Sequence, residues 1–327
     1  MNEPTGGLPR HDADTITPRV LVFAYHDVGY ECLSLLMARG VKVVAVITHE
    51  DDPREHIWFK SVSTLARQSG VPVYTPGDVN AASWRGPLRT LRPDLIFSFY
   101  YRRMIHTEIL ALAHLGAYNL HGSLLPKYRG RAPINWAVLH GETETGATLH
   151  VMEKRADAGD IVDQEPVSIG PSETAQDVFH NVTRAARGVL ERQLDNLLAG
   201  RAPRTVQDES RASTFGHRRP EDGRIDWYQG ARAIYNLIRA VTHPYPGAFT
   251  EFGGERFLVW WAEPIAHVRG RAGEVVNADP LQIATGDGCL EVTQWQWQGS
   301  ASSRGGGHGL CAGTVLGLSQ EDAIDVA

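Results

Sequence analysis

The sequence has few cysteines and no long apolar segment. Its 327 residues include three cysteines, Cys32, Cys289 and Cys311, with no CxxC pair, which argues against a disulfide framework and a zinc knuckle. No run approaches the ~18 consecutive apolar residues of a membrane span, and residues 1–17 lack the apolar stretch of a secretory signal. These absences predict a soluble, cytoplasmic protein with a flexible tail at residues 1–17 and no membrane partner.

Positive charge is also scarce, above all towards the C-terminus. The formal net charge is −6, and from residue 212 onward nine arginines, no lysine and thirteen acidic residues leave −4. Because nucleic-acid-binding domains present a basic face to phosphates, we expect no nucleic-acid partner. The sequence leaves the oligomeric state open.

No HExxH or other tight spacing of metal ligands occurs in the sequence. A metal hydrolase is therefore disfavoured, although its ligands could be imagined among His26, His121, His140, His150 and Asp157. We expect no metal cofactor.

The first two hundred residues alternate β-rich apolar runs with amphipathic stretches, which is typical of βαβ units. Strands are predicted at 19–24, 42–48, 71–74, 95–99, 116–120, 145–152 and 161–167, and helices at 31–39, 57–69 and 175–198. Beyond a boundary near 204–213, a helix at 231–241 and short β segments such as 257–262 and 281–284 predict a small β-barrel. The expected fold is α/β, a doubly wound, mostly parallel, Rossmann-like sheet over 18–204, followed by a β-barrel domain over 205–327.

The most informative local feature is the tripeptide Asn119-Leu120-His121. On a strand, side chains two residues apart face the same way, so Asn119 and His121 would project together. Transfer of a formyl group needs a donor to the developing oxyanion and a group that shuttles a proton, and an amide and an imidazole suit these tasks. Asp157, in a loop before Gly159, could orient the imidazole. Alternatively, all three serve only the local backbone.

A longer stretch carries a family resemblance. Residues 119–160 read NLHGSLLPKYRGRAPINWAVLHGETETGATLHVMEKRADAGD. This resembles the active-site region of the 10-formyltetrahydrofolate-dependent formyltransferases, whose Asn-x-His, SLLPxYRG/A loop and DxG turn all occur here. The resemblance implies that His121 is the proton shuttle, that Asn119 stabilises the transition state, and that Asp157 raises the pKa of His121.

The resemblance also implies contacts to 10-formyltetrahydrofolate as co-substrate. These contacts would come from Arg103, Met104 and Ile105 after the fourth strand, from Arg131, and from the loop Glu153, Lys154, Arg155, Ala156 and Asp157. Backbone contacts at Arg103, Met104 and Glu153 would tolerate the variation seen in that part of the motif.

Within the family, the chain is most similar to the branch that formylates UDP-4-amino-4-deoxy-L-arabinose, a lipid A modification linked to polymyxin resistance. The similarity lies in FAYHDVG at 23–29, FSFYYR at 97–102 and RAVTHPYPGAF at 239–249. The methionyl-tRNA branch usually has GTPxFA where this chain has AYHDVG, so a small-molecule nucleotide sugar is the expected partner. No GxGxxG follows a strand, so we expect none of the dinucleotide-binding decarboxylase half that the bifunctional polymyxin-resistance enzyme carries.

Six residues near the domain junction could line the acceptor site, since arginine forks suit a diphosphate and aromatic rings can stack on uracil. They are Arg218, Arg219, Asp226, Trp227, Asn236 and Arg239. The alternative is that this segment only packs one domain on the other. Three functional alternatives also stay open: another nucleotide-linked amino sugar as acceptor, methionyl-tRNA formylation, and a folate-binding or sugar-nucleotide-binding protein without catalysis.

Overall fold

The computed structural model describes residues 17–53, 55–265, 270–299 and 308–317. Its helices are α1 (His26–Ala38), α2 (Val62–Gln68), α3 (Ala82–Thr90), α4 (Thr107–Leu110), α5 (Pro133–Leu139), α6 (Ala175–Leu198) and α7 (Ala231–Val241). Its strands are β1 (Arg19–Ala24), β2 (Lys42–Ile47), β3 (Val73–Tyr74), β4 (Leu95–Phe99), β5 (Ala117–His121), β6 (Arg129–Gly130), β7 (Glu144–Val151), β8 (Ile161–Ser168), β9 (Thr214–Phe215), β10 (Ala248–Phe252), β11 (Glu255–Ile265), β12 (Val275–Ala278), β13 (Leu281–Ala284) and β14 (Cys289–Trp297). The predicted tail at 1–17 lies, except for residue 17, outside the described residues.

The central sheet has seven strands in the order β3-β2-β1-β4-β5-β7-β8. Strands β1 to β5 pair in parallel, whereas β7 and β8 pair antiparallel at one side. The central strands β1 and β4 are continuous runs of buried apolar and β-branched residues, as expected for a sheet covered on both faces.

Alternate residues of β1 serve two separate apolar clusters. Val20 and Val22 pack with residues of α1 and α6, whereas Leu21 and Phe23 pack with residues of α3 and α4. Helices therefore cover both faces of the sheet. This confirms the predicted doubly wound, mostly parallel architecture.

The C-terminal part forms a separate five-stranded antiparallel sheet in the order β10-β11-β14-β13-β12. Helix α7 packs on β11 through its apolar face and also contacts α5 of the first part. The predicted C-terminal β-structure is confirmed, whereas the domain limits 18–204 and 205–327 stay predictions.

Helix α3 was not expected from the sequence. It contains Gly86 and Pro87, residues that disfavour a helix interior. Its buried Leu88 packs with Leu21 and Phe23 of the sheet, so tertiary contacts outweigh the local preference here.

Candidate active site

Strand pairing places three polar side chains on one face of the sheet. Asn119 and His121 alternate with buried Leu120 along β5, and the antiparallel register puts His150 of β7 directly opposite Asn119. Directly paired residues share a face of a sheet. His121 and His150 are buried, at 7% and 2% exposure, so few water molecules compete for their polar atoms.

The loop between β7 and β8 brings Asp157 to these side chains. Its Oδ1 lies 3.6 Å from Nδ1 of His121 and 3.4 Å from Nε2 of His150. Its Oδ2 accepts a 2.9 Å hydrogen bond from the backbone N–H of Gly130. The structure thus brings together the predicted trio of Asn119, His121 and Asp157.

The carboxylate of Asp157 is held in its charged form. Burial alone would raise its pKa, but the neighbouring His121 and His150 and the Gly130 amide together hold that pKa well below its usual range. Asp157 also adopts a positive φ of 52°, which is uncommon for a residue with a side chain. Such outliers persist where the surrounding contacts hold them.

Hydrogen bonds to carbonyls fix the two imidazole rings. Nε2 of His121 lies 2.7 Å from the carbonyl O of Tyr128, which can only accept, so the Nε2–H donates and Nδ1 faces Asp157. In His150, Nδ1 donates to the carbonyl O of Val151 at 2.8 Å.

The remaining nitrogen of His150 orients Asn119. Nδ2 of Asn119 lies 3.1 Å from Nε2 of His150, which also faces Oδ1 of Asp157 at 3.4 Å. Whichever group donates in this contact, the Asn119 amide keeps at least one N–H for another acceptor. Sequence reasoning missed His150 as a site residue, because its contacts depend on the β5–β7 register. Correlated substitutions at positions 119 and 150 among related sequences would have identified it.

The predicted folate-binding loop after β4 is partly exposed. Met104 is 49% exposed and Ile105 is buried. The side chain of Asn80 holds this loop by donating to the carbonyl O of Met104 and accepting from the N–H of His106, both at 2.9 Å. The loop therefore presents a large apolar side chain to solvent from a fixed backbone.

Arginine side chains gather beside that loop. Burial and the charges of Arg102, Arg103 and Arg131 lower the pKa of His49 to about 4. Arg102 pairs with both carboxylate oxygens of Glu55 at 2.7 and 2.8 Å. Within the described part of the chain, Arg103 and Arg131 have no carboxylate within ion-pair distance, so both cations can take an anionic ligand.

The other predicted folate contacts lie on the loop that carries Asp157. Glu153, Lys154, Arg155 and Ala156 are exposed, whereas the side chain of Asp157 is only 13% exposed. Arg155 forms an ion pair with Glu209. Ile105 and Met152, which precedes this loop, belong to one apolar cluster, so both predicted folate-binding loops border the same part of the core.

Two of the six predicted acceptor residues line a cavity of about 190 Å³. Arg218 and Arg219 border it together with Asn135, Tyr245 and Pro246, which were not predicted. The guanidinium of Arg218 lies 4.7 Å from the centre of the Trp136 ring, and burial lowers its pKa. Neither Arg218 nor Arg219 has a carboxylate within ion-pair distance among the residues that the structure describes.

A column of stacked rings joins this cavity to the trio. Trp136 stacks on Phe215 at 5.2 Å and Phe215 on Tyr128 at 5.1 Å between ring centres. The carbonyl of Tyr128 accepts the hydrogen bond from His121. Packed aromatic side chains therefore connect the cavity to the candidate catalytic side chains.

The other four predicted acceptor residues do not line this cavity. Asp226 accepts from the backbone N–H of Tyr228, and buried Trp227 donates to Thr250. Asn236 accepts from Arg239, which also donates to the carbonyl O of Glu173 at 3.0 Å. Their polar groups contact other parts of the protein, as the packing alternative expects.

The described residues form neither a metal site nor a membrane-spanning helix. No set of three or more His, Cys, Asp and Glu side chains in the described ranges is arranged to hold a metal ion. His140, one of the imagined ligands, is instead near the hydroxyl of Tyr128 at 3.2 Å. No described helix combines the length and apolar character needed to cross a membrane.

Two family models and several solved structures match this chain. The model of the formyl transferase family matches residues 20–194, and the model of its C-terminal domain matches residues 218–306. The first match covers more than half of the chain and includes Asn119, His121 and Asp157.

Solved structures of similar fold include two N-formyltransferases and a larger protein. An N-formyltransferase from Helicobacter canadensis, in complex with folinic acid and dTDP-3-aminofucose, is 20% identical with a TM-score of 0.66 over 85% of this chain and 99% of that one. A 4-N formyltransferase from Francisella tularensis is 22% identical with a TM-score of 0.60 over 73% and 95%. HypX from Aquifex aeolicus, in complex with tetrahydrofolic acid, is 22% identical with a TM-score of 0.60 over 88% of this chain but only 45% of its own.

Proposed function

The chain belongs to the formyl transferase family, and on that premise we propose that it transfers a formyl group from 10-formyltetrahydrofolate to the amine of a nucleotide-linked sugar. The observation that carries this proposal is the convergence of Asn119, His121 and Asp157 over one face of the sheet, within 3.6 Å from His121 Nδ1 to Asp157 Oδ1. A donor, a proton carrier and an anion at one point are what amine formylation requires.

In the proposed mechanism, each side chain has a separate task. The free N–H of Asn119 donates to the formyl oxygen as negative charge develops on it. Because Nε2–H of His121 is held by the carbonyl of Tyr128, Nδ1 accepts the proton that the attacking amine loses and delivers it to the leaving folate nitrogen, so a C–N bond to the acceptor forms as the old C–N bond breaks. Asp157 stabilises the ring while it carries that proton, because its carboxylate faces Nδ1.

The residues present fit a folate co-substrate. Folates carry carboxylates on their glutamate moiety, and Arg103 and Arg131 are cations beside His49 without a described carboxylate partner. The exposed Met104 offers apolar surface to a ring system. We assign the loops 103–105 and 153–157 to folate binding.

The acceptor site is assigned to the cavity lined by Arg218 and Arg219. At about 190 Å³ it is smaller than the ~300–1,000 Å³ of typical small-molecule sites, so it would hold one part of a nucleotide sugar. Arginine guanidinium groups pair well with phosphate oxygens, which makes the diphosphate the expected occupant. As acceptor contacts, Asp226, Trp227, Asn236 and Arg239 remain a sequence-based prediction.

The specific acceptor we propose is UDP-4-amino-4-deoxy-L-arabinose, with the reaction taking place in the cytoplasm as a step of lipid A modification. This choice rests on the sequence motifs AYHDVG, FSFYYR and THPYPGAF. The Helicobacter canadensis relative holds a dTDP-linked 3-amino sugar, so the nucleotide and the amine position are the points to test.

The test is an acceptor screen. Purified protein is incubated with 10-formyltetrahydrofolate and with UDP- or dTDP-linked 4-amino and 3-amino sugars, and the formylated product is followed by mass. The proposal predicts that UDP-4-amino-4-deoxy-L-arabinose has the highest kcat/KM. A dTDP sugar as the best acceptor would overturn the nucleotide assignment, and faster formylation of methionyl-tRNA would overturn the acceptor class. Retention of ligands without tetrahydrofolate release would indicate a binding protein.

A further inference from the structure

The turn that carries Asp157 is held by a residue far away in sequence. Gln207 is buried at 6% exposure, and its Nε2 donates to the carbonyl O of Asp157 at 2.9 Å and to that of Gly159 at 2.7 Å. Both N–H groups of the side-chain amide are thereby used on one turn.

Arg129 in turn fixes the amide of Gln207. Its Nη2 and Nε donate to Oε1 of Gln207 at 2.7 and 3.2 Å. The same guanidinium pairs with the carboxylate of Glu209 at 2.8 Å. Because a guanidinium only donates, Oε1 of Gln207 must face Arg129, and Nε2 must face the turn.

The segment around Gln207 borders the site on two sides. Thr205 exchanges two backbone hydrogen bonds of 2.8 Å with Ile161, just after the turn. Further along, β9 pairs in parallel with β6, so that Gly130 lies opposite Phe215. Gly130 is the residue whose N–H donates to Asp157, and a Cβ at its position would lie 2.3 Å from the carbonyl O of Phe215.

We propose that Gln207 is a positioning residue of the active site, which holds Asp157 in its positive-φ conformation against His121 by donating to both sides of the turn. The segment between the sheet domain and the β-domain is thus part of the catalytic apparatus. The inference rests on the proposed formyl transfer, with Gln207 acting through Asp157.

The deciding variant is Gln207→Glu, which keeps the size of the side chain and its contact with Arg129 but replaces the amide nitrogen, with both its N–H donors, by one carboxylate oxygen facing two carbonyls. We expect kcat to fall by about 10- to 100-fold, the loss found when a hydrogen-bond partner that orients a metal ligand is removed, with the acceptor KM within about twofold of the wild-type value. The matched control is Gln193→Glu on α6, where Nε2 donates to Asp163; its kcat should not change.

A second measurement does not depend on turnover. The side-chain carboxyl of Asp157 is titrated by NMR in wild type and in Gln207→Glu, with folding checked by circular dichroism. We expect the Asp157 pKa to rise towards its ordinary value both in this variant and in the uncharged Gln207→Met, because its contacts with His121, His150 and Gly130 loosen; a rise in Gln207→Glu alone would be the effect of the added negative charge and would count against the proposal.

If both the pKa of Asp157 and kcat were unchanged in Gln207→Glu, the proposal would be overturned, because a side chain that only fills the space of Gln207 would then be enough to hold the turn. If Gln207→Glu does not fold, Gln207→Met is measured in the same way, because it also lacks the donors while filling the space. Absence of transfer to any amino sugar by the wild-type protein would refute the proposed function, and the carboxyl titration would still decide the role of Gln207.

Discussion

Two regions of this chain are rich in polar side chains but arrange them in opposite ways. Between residues 119 and 157, the polar groups meet over one face of β5 and β7, and Asp157 lies within 3.6 Å of two imidazole rings. Between residues 218 and 239, two arginines border a cavity, whereas Asn236 and Arg239 face the protein interior. Paired strands with a returning loop gather groups at one point, whereas the second region divides its groups between the segment before Pro220, which carries the two cavity arginines, and one face of α7, where Arg239 donates to Asn236.

The largest effect is expected in the first region. His121→Ala should lower kcat by about 10²- to 10⁴-fold, because the substitution removes the proposed proton carrier. Both KM values should stay within about threefold, since the folate and acceptor contacts lie elsewhere. Steady-state kinetics measure this. Retention of a tenth or more of wild-type kcat would remove His121 from the mechanism.

In the second region, the arginines of the cavity should affect binding and not chemistry. Arg218→Ala and Arg219→Ala should each raise the acceptor KM by about tenfold, the loss of one charge-assisted hydrogen bond, with little change in kcat. Arg224→Ala is the control, because Arg224 pairs with Glu251 at 2.9 Å. An acceptor KM unchanged in both cavity variants would exclude this cavity as the diphosphate site.

The buried arginine of the same region should behave differently. Arg239→Met should leave both KM values unchanged but destabilise the protein, by about 1–3 kcal/mol for each buried acceptor left without a donor. The acceptors are the carbonyl O of Glu173 and Oδ1 of Asn236. Urea unfolding and acceptor kinetics measure the two effects. A raised acceptor KM with unchanged stability would return Arg239 to the acceptor site.

Only part of the difference between the two regions can be predicted from the sequence. Alternation along β5 predicts that Asn119 and His121 share a face, and the runs of β1 and β4 predict buried strands with their observed bounds. The roles of His150 and Gln207 depend on strand register and on a contact 50 residues apart, which no local pattern encodes. The sequence does not distinguish Arg239 from Arg218, because the burial of each side chain determines whether the arginine packs within the protein or is free to bind a ligand.

The smallest expected effect concerns the stability that Asp157 provides. Its pKa in the folded protein lies below its unfolded value. Its contribution is therefore complete above about 3.9, the ordinary pKa of aspartate, and is lost as pH falls through the folded value. Asp157→Asn should be less stable than wild type by about 1–3 kcal/mol at pH 7, and the difference should shrink below pH 4. Urea unfolding at several pH values measures this; a difference that grows towards low pH would contradict the assigned charge.

The central claim is tested most directly by a single-turnover reaction with isotopically labelled formyl. Enzyme in excess is mixed with 10-formyltetrahydrofolate labelled in the formyl carbon and with UDP-4-amino-4-deoxy-L-arabinose, and the label is located by mass spectrometry. We predict that the label appears on the sugar nitrogen as tetrahydrofolate is released, and that His121→Ala slows this transfer by about 100-fold or more. Label that stays on folate, or is released as formate with the sugar unchanged, would contradict the account.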